Sequence, residues 1–383
     1  MRRLLTGLVL AAVLAGTAAA AQPARVLAVE WEGGGGKLRW VSPTTLRPAG
    51  PAVLNVGGAP ANVVAVSPDG KFAALGGGTN GRLRIVRLAG LRQTGFVWLG
   101  GESVLAASWS TPDRLVAVTG SSPAGAVVVD LSDRTVVRRV SLDGTALAAV
   151  RAGNRLVTLL APLEGVGPAR LAIVDTRGGL RTVSLAPIEA GFSPPDSPDT
   201  AGRYASPALA TDGTRALVLA VDRFTIVDLT SLKVRSHRLP IRGTARSAKL
   251  SRGWGRSAVW LRGNTVAFTG SHSRPDGPPT YIGVHVLDVA TGSTRMLDAA
   301  ALNLARAGST LLTYGRDEFR GYGLDGTHRY TLLEGTDTGY VQVAGRWAYV
   351  GVANSTRFTI VDVVRGRVAG QARSAKPVTV LAP

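Results

Sequence analysis

Four histidines, at 237, 272, 285 and 328, are the side chains best suited to acid–base chemistry at neutral pH. Their spacing matches no metal-ligand pattern, and a chain without cysteine has neither thiolate sites nor a disulfide framework. His272 stands in TGSHSRPDGPPTY (269–281) beside Asp276, near enough for a His–Asp proton-transfer pair, although a solvated loop pair is the commoner outcome. His285 falls within an expected strand among apolar residues. No G-x-S-x-G elbow, P-loop or zinc motif occurs. The glycine runs GGGG (33–36) and GGGTNG (76–81) lack the following helix that a phosphate cradle needs.

Anion binding is the second chemistry on offer. From Leu229 to Pro275 there is no acid, but there are ten cations: Lys233, Arg235, Arg238, Arg242, Arg246, Lys249, Arg252, Arg256, Arg262 and Arg274. Trp254 and Trp260 are interleaved with them. A guanidinium can give a carboxylate or phosphate two parallel hydrogen bonds, so such a stretch suits an anionic polymer. The plainer reading is a solvated basic flank with both tryptophans in the core. A set of aspartates (130, 175, 228, 288 and 362) resembles a carboxylate ring for a cation. Each follows an apolar run at a turn, where Asp accepts bonds from nearby backbone N–H groups, and turn chemistry explains them.

These residues must be positioned by a repeat. Apolar runs ending in an acid recur: AVVVDL (126–131), RLAIVD (170–175), RFTIVDL (223–229), VHVLDV (284–289) and RFTIVDV (357–362), with a weaker GYGLDG (321–326). RLRIVR (82–87) and KLRWVS (37–42) keep the pattern without the acid. The register positions 42, 87, 130, 175, 228, 288, 325 and 362 are spaced by 45, 43, 45, 53, 60, 37 and 37 residues, bracketing the length of a propeller blade. Turn-then-strand units such as SPDGKFAAL (67–75) lie upstream, and alternating apolar and basic strands such as TVVRRVSL (135–142) lie downstream. The expected fold is therefore all-β: a single β-propeller of about eight four-stranded blades, or seven if one unit within 257–325 is misjudged. ARVLAVEW (24–31) opens without a strand before it and PVTVLA (377–382) is left over at the end, so the last strand is expected to pair into the first blade.

VAVTGSSPAGAVVVDLSDRTVVRRVSLDG (116–144) is similar to the YVTN-type propeller repeat, and SPDGK (67–71) resembles the turn shared with WD40-like propellers. The Trp-Asp and Gly-His signatures of true WD40 repeats are missing. The resemblance implies a fold rather than a function, because this architecture carries binders, scaffolds and enzymes alike.

With strands a to d in each blade, the b–c and d–a connections share one face and the a–b and c–d turns share the other. The extra length falls on the first face, in WEGGGGK (31–37), TGSSPAGA (119–126), LAPLEGVGPAR (160–170), TGSHSRPDGPPTY (269–281) and APIEAGFSPPDSPDTAGRY (186–204). Insertions gathered on one face of a repeat ring mark its binding face. The candidate binding residues are Arg242, Arg246, His272, Arg274, Asp276, Tyr281, Phe192, Arg203 and Tyr204; no catalytic residue, metal ligand or cofactor is assigned. Arg242 and Arg246 are expected to flank a d–a connection, and Arg252 and Arg256 an a–b turn on the opposite face.

Arg2 and Arg3, the apolar run from Leu4 and the small residues Thr17 to Ala21 read as a signal peptide over 1–21, with an uncleaved anchor as the alternative. Residues 22–383 then form one extracytoplasmic domain. Losing those two arginines from 44 cations against 25 acids leaves a mature net charge of +17. The expected function is an exported non-catalytic binding or scaffold propeller. Its partner would be a protein or an anionic envelope polymer or glycan, not nucleic acid, with membrane association at most peripheral. The alternatives are a propeller enzyme of lactonase-like or quinoprotein-like type and an envelope structural protein held by charge.

Overall fold

The computed structural model describes residues 25–32, 35–57, 62–76, 81–100, 103–120, 122–194, 202–241, 253–274, 277–336, 338–351, 356–374 and 376–381. The expected signal peptide, residues 33–34 and 77–80 of the two glycine-rich runs, and Arg242, Arg246, Lys249, Arg252 and Asp276 lie outside them. Among the described residues there are only strands, turns and bends, and no helix long and apolar enough to cross a membrane.

Strands β1 (Val26–Glu32), β2 (Gly35–Val41) and β3 (Pro48–Gly57) open the chain. The next sheet is β4 (Asn62–Val66), β5 (Phe72–Gly76), β6 (Arg82–Arg87) and β7 (Arg92–Trp98). Then come β8 (Val104–Thr111), β9 (Arg114–Thr119), β10 (Gly125–Asp130) and β11 (Thr135–Ser141). Strands β12 (Thr145–Ala152), β13 (Arg155–Ala161), β14 (Gly165–Asp175) and β15 (Leu180–Ser193) follow, and then a short β16 (Arg203–Ser206). Beyond it lie β17 (Ala208–Thr211), β18 (Arg215–Leu219), β19 (Arg223–Asp228) and β20 (Val234–Arg238). The next group is β21 (Gly253–Arg262), β22 (Thr265–Arg274), β23 (Gly277–Tyr281), β24 (Val284–Asp288) and β25 (Thr294–Asp298). Strands β26 (Ala301–Ala307), β27 (Thr310–Gly315), β28 (Phe319–Gly323) and β29 (His328–Leu332) make another sheet. The last are β30 (Tyr340–Ala344), β31 (Trp347–Gly351), β32 (Arg357–Asp362), β33 (Arg367–Arg373) and β34 (Val378–Leu381).

The architecture is an all-β propeller whose strands pair antiparallel except where β16 meets β21. Separate four-stranded sheets number six among the described residues, not the eight or seven expected. The reason is β16, which pairs with β15 on one side and β21 on the other and so joins two expected sheets into one of ten strands. β34 pairs antiparallel with β1, Leu27 opposite Leu381, in the sheet of order β3-β2-β1-β34.

The continuous apolar runs of the middle strands follow from burial on both faces. In β10, Val127 and Val129 pack towards β4–β9, while Ala126 and Val128 pack towards β13 and β14. The outer strands read differently: β11 is mostly exposed, which is why its apolar and basic residues alternate. Among the described residues, eight apolar clusters lie between consecutive runs of strands, from β1–β6 to the one uniting β30–β33 with β1, β2 and β34. The first strands of successive runs touch in turn, β4 to β8, β8 to β12, β12 to β17, β17 to β21, and on through β26 and β30 to β34.

Candidate functional site

The long insertions are not loose loops throughout, as their Pro and Gly content suggests; part of their length is folded into sheet. Gly165–Pro168 pair with Phe192–Glu189 across a register shift at Pro168/Ala169, extending the β14–β15 hairpin beyond the body of its sheet. Gly191 makes this approach, with φ of 123° and no room for a Cβ against the Gly165 carbonyl. β16 then pairs antiparallel with residues 191–193 and parallel with residues 253–255 of β21. β22 continues the run, with His272 opposite Trp254, and β23 adds its edge, with Tyr281 opposite Ser271.

This run brings six of the nine expected binding residues to one region. Phe192 lies opposite Tyr204, and Arg203 opposite Ser193. Tyr204 Oη and Ser273 Oγ share a hydrogen bond of 2.6 Å. Gly253 is required beneath Tyr204, whose ring occupies the space a Cβ would take. Phe192 is 59% and Tyr281 39% exposed, and Leu163 in the β13–β14 turn is also exposed. Aromatic side chains left in water on strands rather than on mobile loops are suited to contact a partner. Arg274 lies in β22, while Arg242, Arg246 and Asp276 are outside the described residues.

Beneath this rim is a polar pair that sequence reasoning misplaced. Arg256 is not at an a–b turn on the opposite face. It lies near the start of β21, whose a–b turn is at Gly263 and Asn264, so it belongs to the insertion-bearing end. It is buried, and its Nη2 stands 3.1 Å from Nε2 of the buried His272. Nη1 donates to the Gly255 carbonyl at 3.0 Å, and the guanidinium lies 5.9 Å from the Trp254 ring centroid. Gly270 makes room, since a Cβ there would fall 2.6 Å from Arg256 Nη1. Burial lowers the Arg256 pKa to about 10, which leaves it charged at neutral pH. Burial, with the adjacent guanidinium, lowers His272 to about 4, so its imidazole is neutral. A neutral ring that accepts from Arg256 at Nε2 carries its proton on Nδ1. Among the described residues Arg256 Nε and His272 Nδ1 have no partner, so two buried donors stand unsatisfied there.

The other histidines are structural. His285 is buried in β24 as expected, stacked on Phe268 at 5.4 Å and 2.9 Å from the Ile282 carbonyl; burial, chiefly, lowers its pKa. His237 stacks on Phe224, and His328 meets Tyr322 edge-on. Trp254 and Trp260 are buried, as the plainer reading had it. The aspartates are turn residues: Asp130 accepts from Ser132 N–H, Asp228 from Thr230 and Ser231, and Asp288 from Ala290 and Thr291. Asp175 accepts from Arg177 and Gly179, and Asp362 from Arg365. Among the described residues no three His, Asp or Glu side chains are grouped to hold a metal ion.

No protein-family model matches the chain, and no curated protein sequence matches it. Solved structures do. The chain is similar to the dihydro-heme d1 dehydrogenase NirN in complex with DHE at 13% identity and a TM-score of 0.60, over 92% of this chain and 74% of that one. It is also similar to apo AztD from Citrobacter koseri at 12% identity and a TM-score of 0.57, over 93% of this chain and 97% of that one. At these identities the likeness shows a shared propeller fold.

Proposed function

We propose that the chain is an exported, non-catalytic binding or scaffold propeller of YVTN-like repeats that engages its partner through the insertion-bearing face. The observation carrying this reading is the strand run β15–β16–β21–β22–β23, which leaves Phe192, Arg203 and Tyr281 exposed on a hydrogen-bonded frame. A rigid frame limits the ordering entropy that binding costs. The reading further takes residues 1–21 as a removed signal peptide and the ten-stranded sheet as two blades fused by β16. Counted so, there are eight blades, and β34 closes the ring. The eight inter-sheet clusters support that count. His272, buried and neutral, faces Arg256 beneath the exposed residues and does not itself meet the partner.

The net charge favours an anionic envelope polymer or glycan as partner. Two triple charge reversals test the face while changing net charge equally. R203E/R242E/R246E should elute from a heparin column at clearly lower salt than R177E/R262E/R365E, whose side chains lie at the opposite turns. Equal shifts would show that net charge alone attracts polyanions, and would overturn the assignment of the face.

A further inference from the structure

We propose a second ligand site, away from the face just described: the cleft between sheets β4–β7 and β8–β11, at the end carrying the short turns, binds a single amino acid with an apolar side chain, as its zwitterion. The cleft arises from one position of the repeat. Four residues after the register position, in the turn before the outer strand, φ is 54° at Leu46, 45° at Leu91, 58° at Arg134 and 61° at Leu232. In three of these turns a leucine plugs the gap against the preceding sheet. Leu46 joins the cluster that holds Tyr349 and Phe358, Leu91 the one that holds Leu38 and Val56, and Leu232 packs against the one that holds Ile173 and Val183. At the same position the β10–β11 turn carries the exposed Arg134, which joins no apolar cluster. A cleft of about 230 Å³ lies beside it, with Arg134 in its lining.

The body of the cleft is apolar, formed by Phe72, Ile85 and Leu131 with the buried Trp109. Gly95 lets the Arg134 side chain lie along β7, since a Cβ there would fall 2.6 Å from its Nε. The lining carries one cation and one anion, Arg134 and Asp113. Their turn neighbours Arg114 and Asp130 stand 3.9 Å from each other. Among the described residues, however, Asp113 and Arg134 form no ion pair, either together or with another group. A guanidinium gives a carboxylate two parallel hydrogen bonds, and a carboxylate accepts from an ammonium. Asp113 repels a simple anion and Arg134 a simple cation, so a ligand that carries both charges is selected over either. The apolar body takes its side chain. The volume is below the roughly 300–1,000 Å³ usual for drug-sized ligands, which suits an occupant as small as one amino acid.

Calorimetric titration of the purified protein with L-leucine, 4-methyl-2-oxopentanoate and 3-methylbutylamine tests this. The three share one apolar chain, but the second lacks the ammonium and the third the carboxylate. L-leucine should bind saturably at millimolar concentration or below, and each analogue at least tenfold more weakly. R134L rebuilds the plug of the other three turns, so it should weaken L-leucine binding at least tenfold with the melting temperature unchanged or raised. D113N should weaken L-leucine at least tenfold while 4-methyl-2-oxopentanoate binds no worse than to the parent. The proposal fails if L-leucine does not bind, if either analogue binds as well, or if R134L or D113N binds L-leucine like the parent. It fails too if R134L loses binding only together with a fall in melting temperature, which would make Arg134 structural. Failure here leaves the heparin result untouched, since none of the residues reversed there lines this cleft.

Discussion

At the scale of single residues, the buried Arg256–His272 pair makes the sharpest statement about solution behaviour. His272 in the folded protein resists protonation down to about pH 4, against an ordinary value of 6.5. Between those values the unfolded chain binds a proton that the folded chain refuses. Stability therefore falls as pH drops from 6.5 to 4 and is flat, for this group, on either side. The loss over that window is about 3 kcal/mol. Urea unfolding at pH 7 and pH 4.5 should show H272Q losing clearly less stability than the parent; equal losses would refute a buried neutral imidazole. The turn aspartates 69, 130 and 228 act in a lower window, since hydrogen bonds hold each carboxyl below its ordinary range, and those from Ser67 and Lys71 hold Asp69 down at about 2. Their bonding was readable from sequence because an acid after an apolar run at a turn has few other uses. Arg256 was not, because SRGWGR looks like a turn, and only the pairing of residues 253–255 with β16 shows that the strand has already begun.

At the scale of elements, β34 pairs with β1, and the proposed closure of the ring rests on that pairing. Val378, Val380 and Leu381 are buried, and the Gln342 side-chain oxygen accepts the Val380 N–H. Removing residues 376–383 would expose the edge of β1 and uncover Phe358 and Ile360 in the shared cluster. Loss of three buried aliphatic side chains costs about 5 kcal/mol, so the melting temperature should fall by roughly 10 °C or more, or the protein should aggregate. A truncated protein that stays monomeric with an unchanged melting curve would rule this out. The leftover strand could be foreseen from the unpaired opening at 24–31. The strands within the insertions could not, because Pro168, Pro187, Gly165 and Gly191 break the alternation that marks a strand. The extended hairpin accommodates them with a register shift and a positive-φ glycine, which are choices of tertiary pairing.

At the scale of the molecule, length and the absence of cysteine already pointed to a repeat architecture held by apolar packing, and the clusters between successive sheets are that packing. What the repeat period could not give was the joining of two sheets by β16, since that depends on where a short strand lands after a long insertion. The central claim is that one face meets a partner. Photo-crosslinking side chains placed singly at Phe192 and Tyr281, and at Val364 on the opposite face, test it in cells producing the full chain; all three positions are exposed. The account predicts a discrete crosslinked species of the same size from positions 192 and 281 and none from 364. Crosslinks of equal yield at all three positions, or at 364 alone, would contradict it.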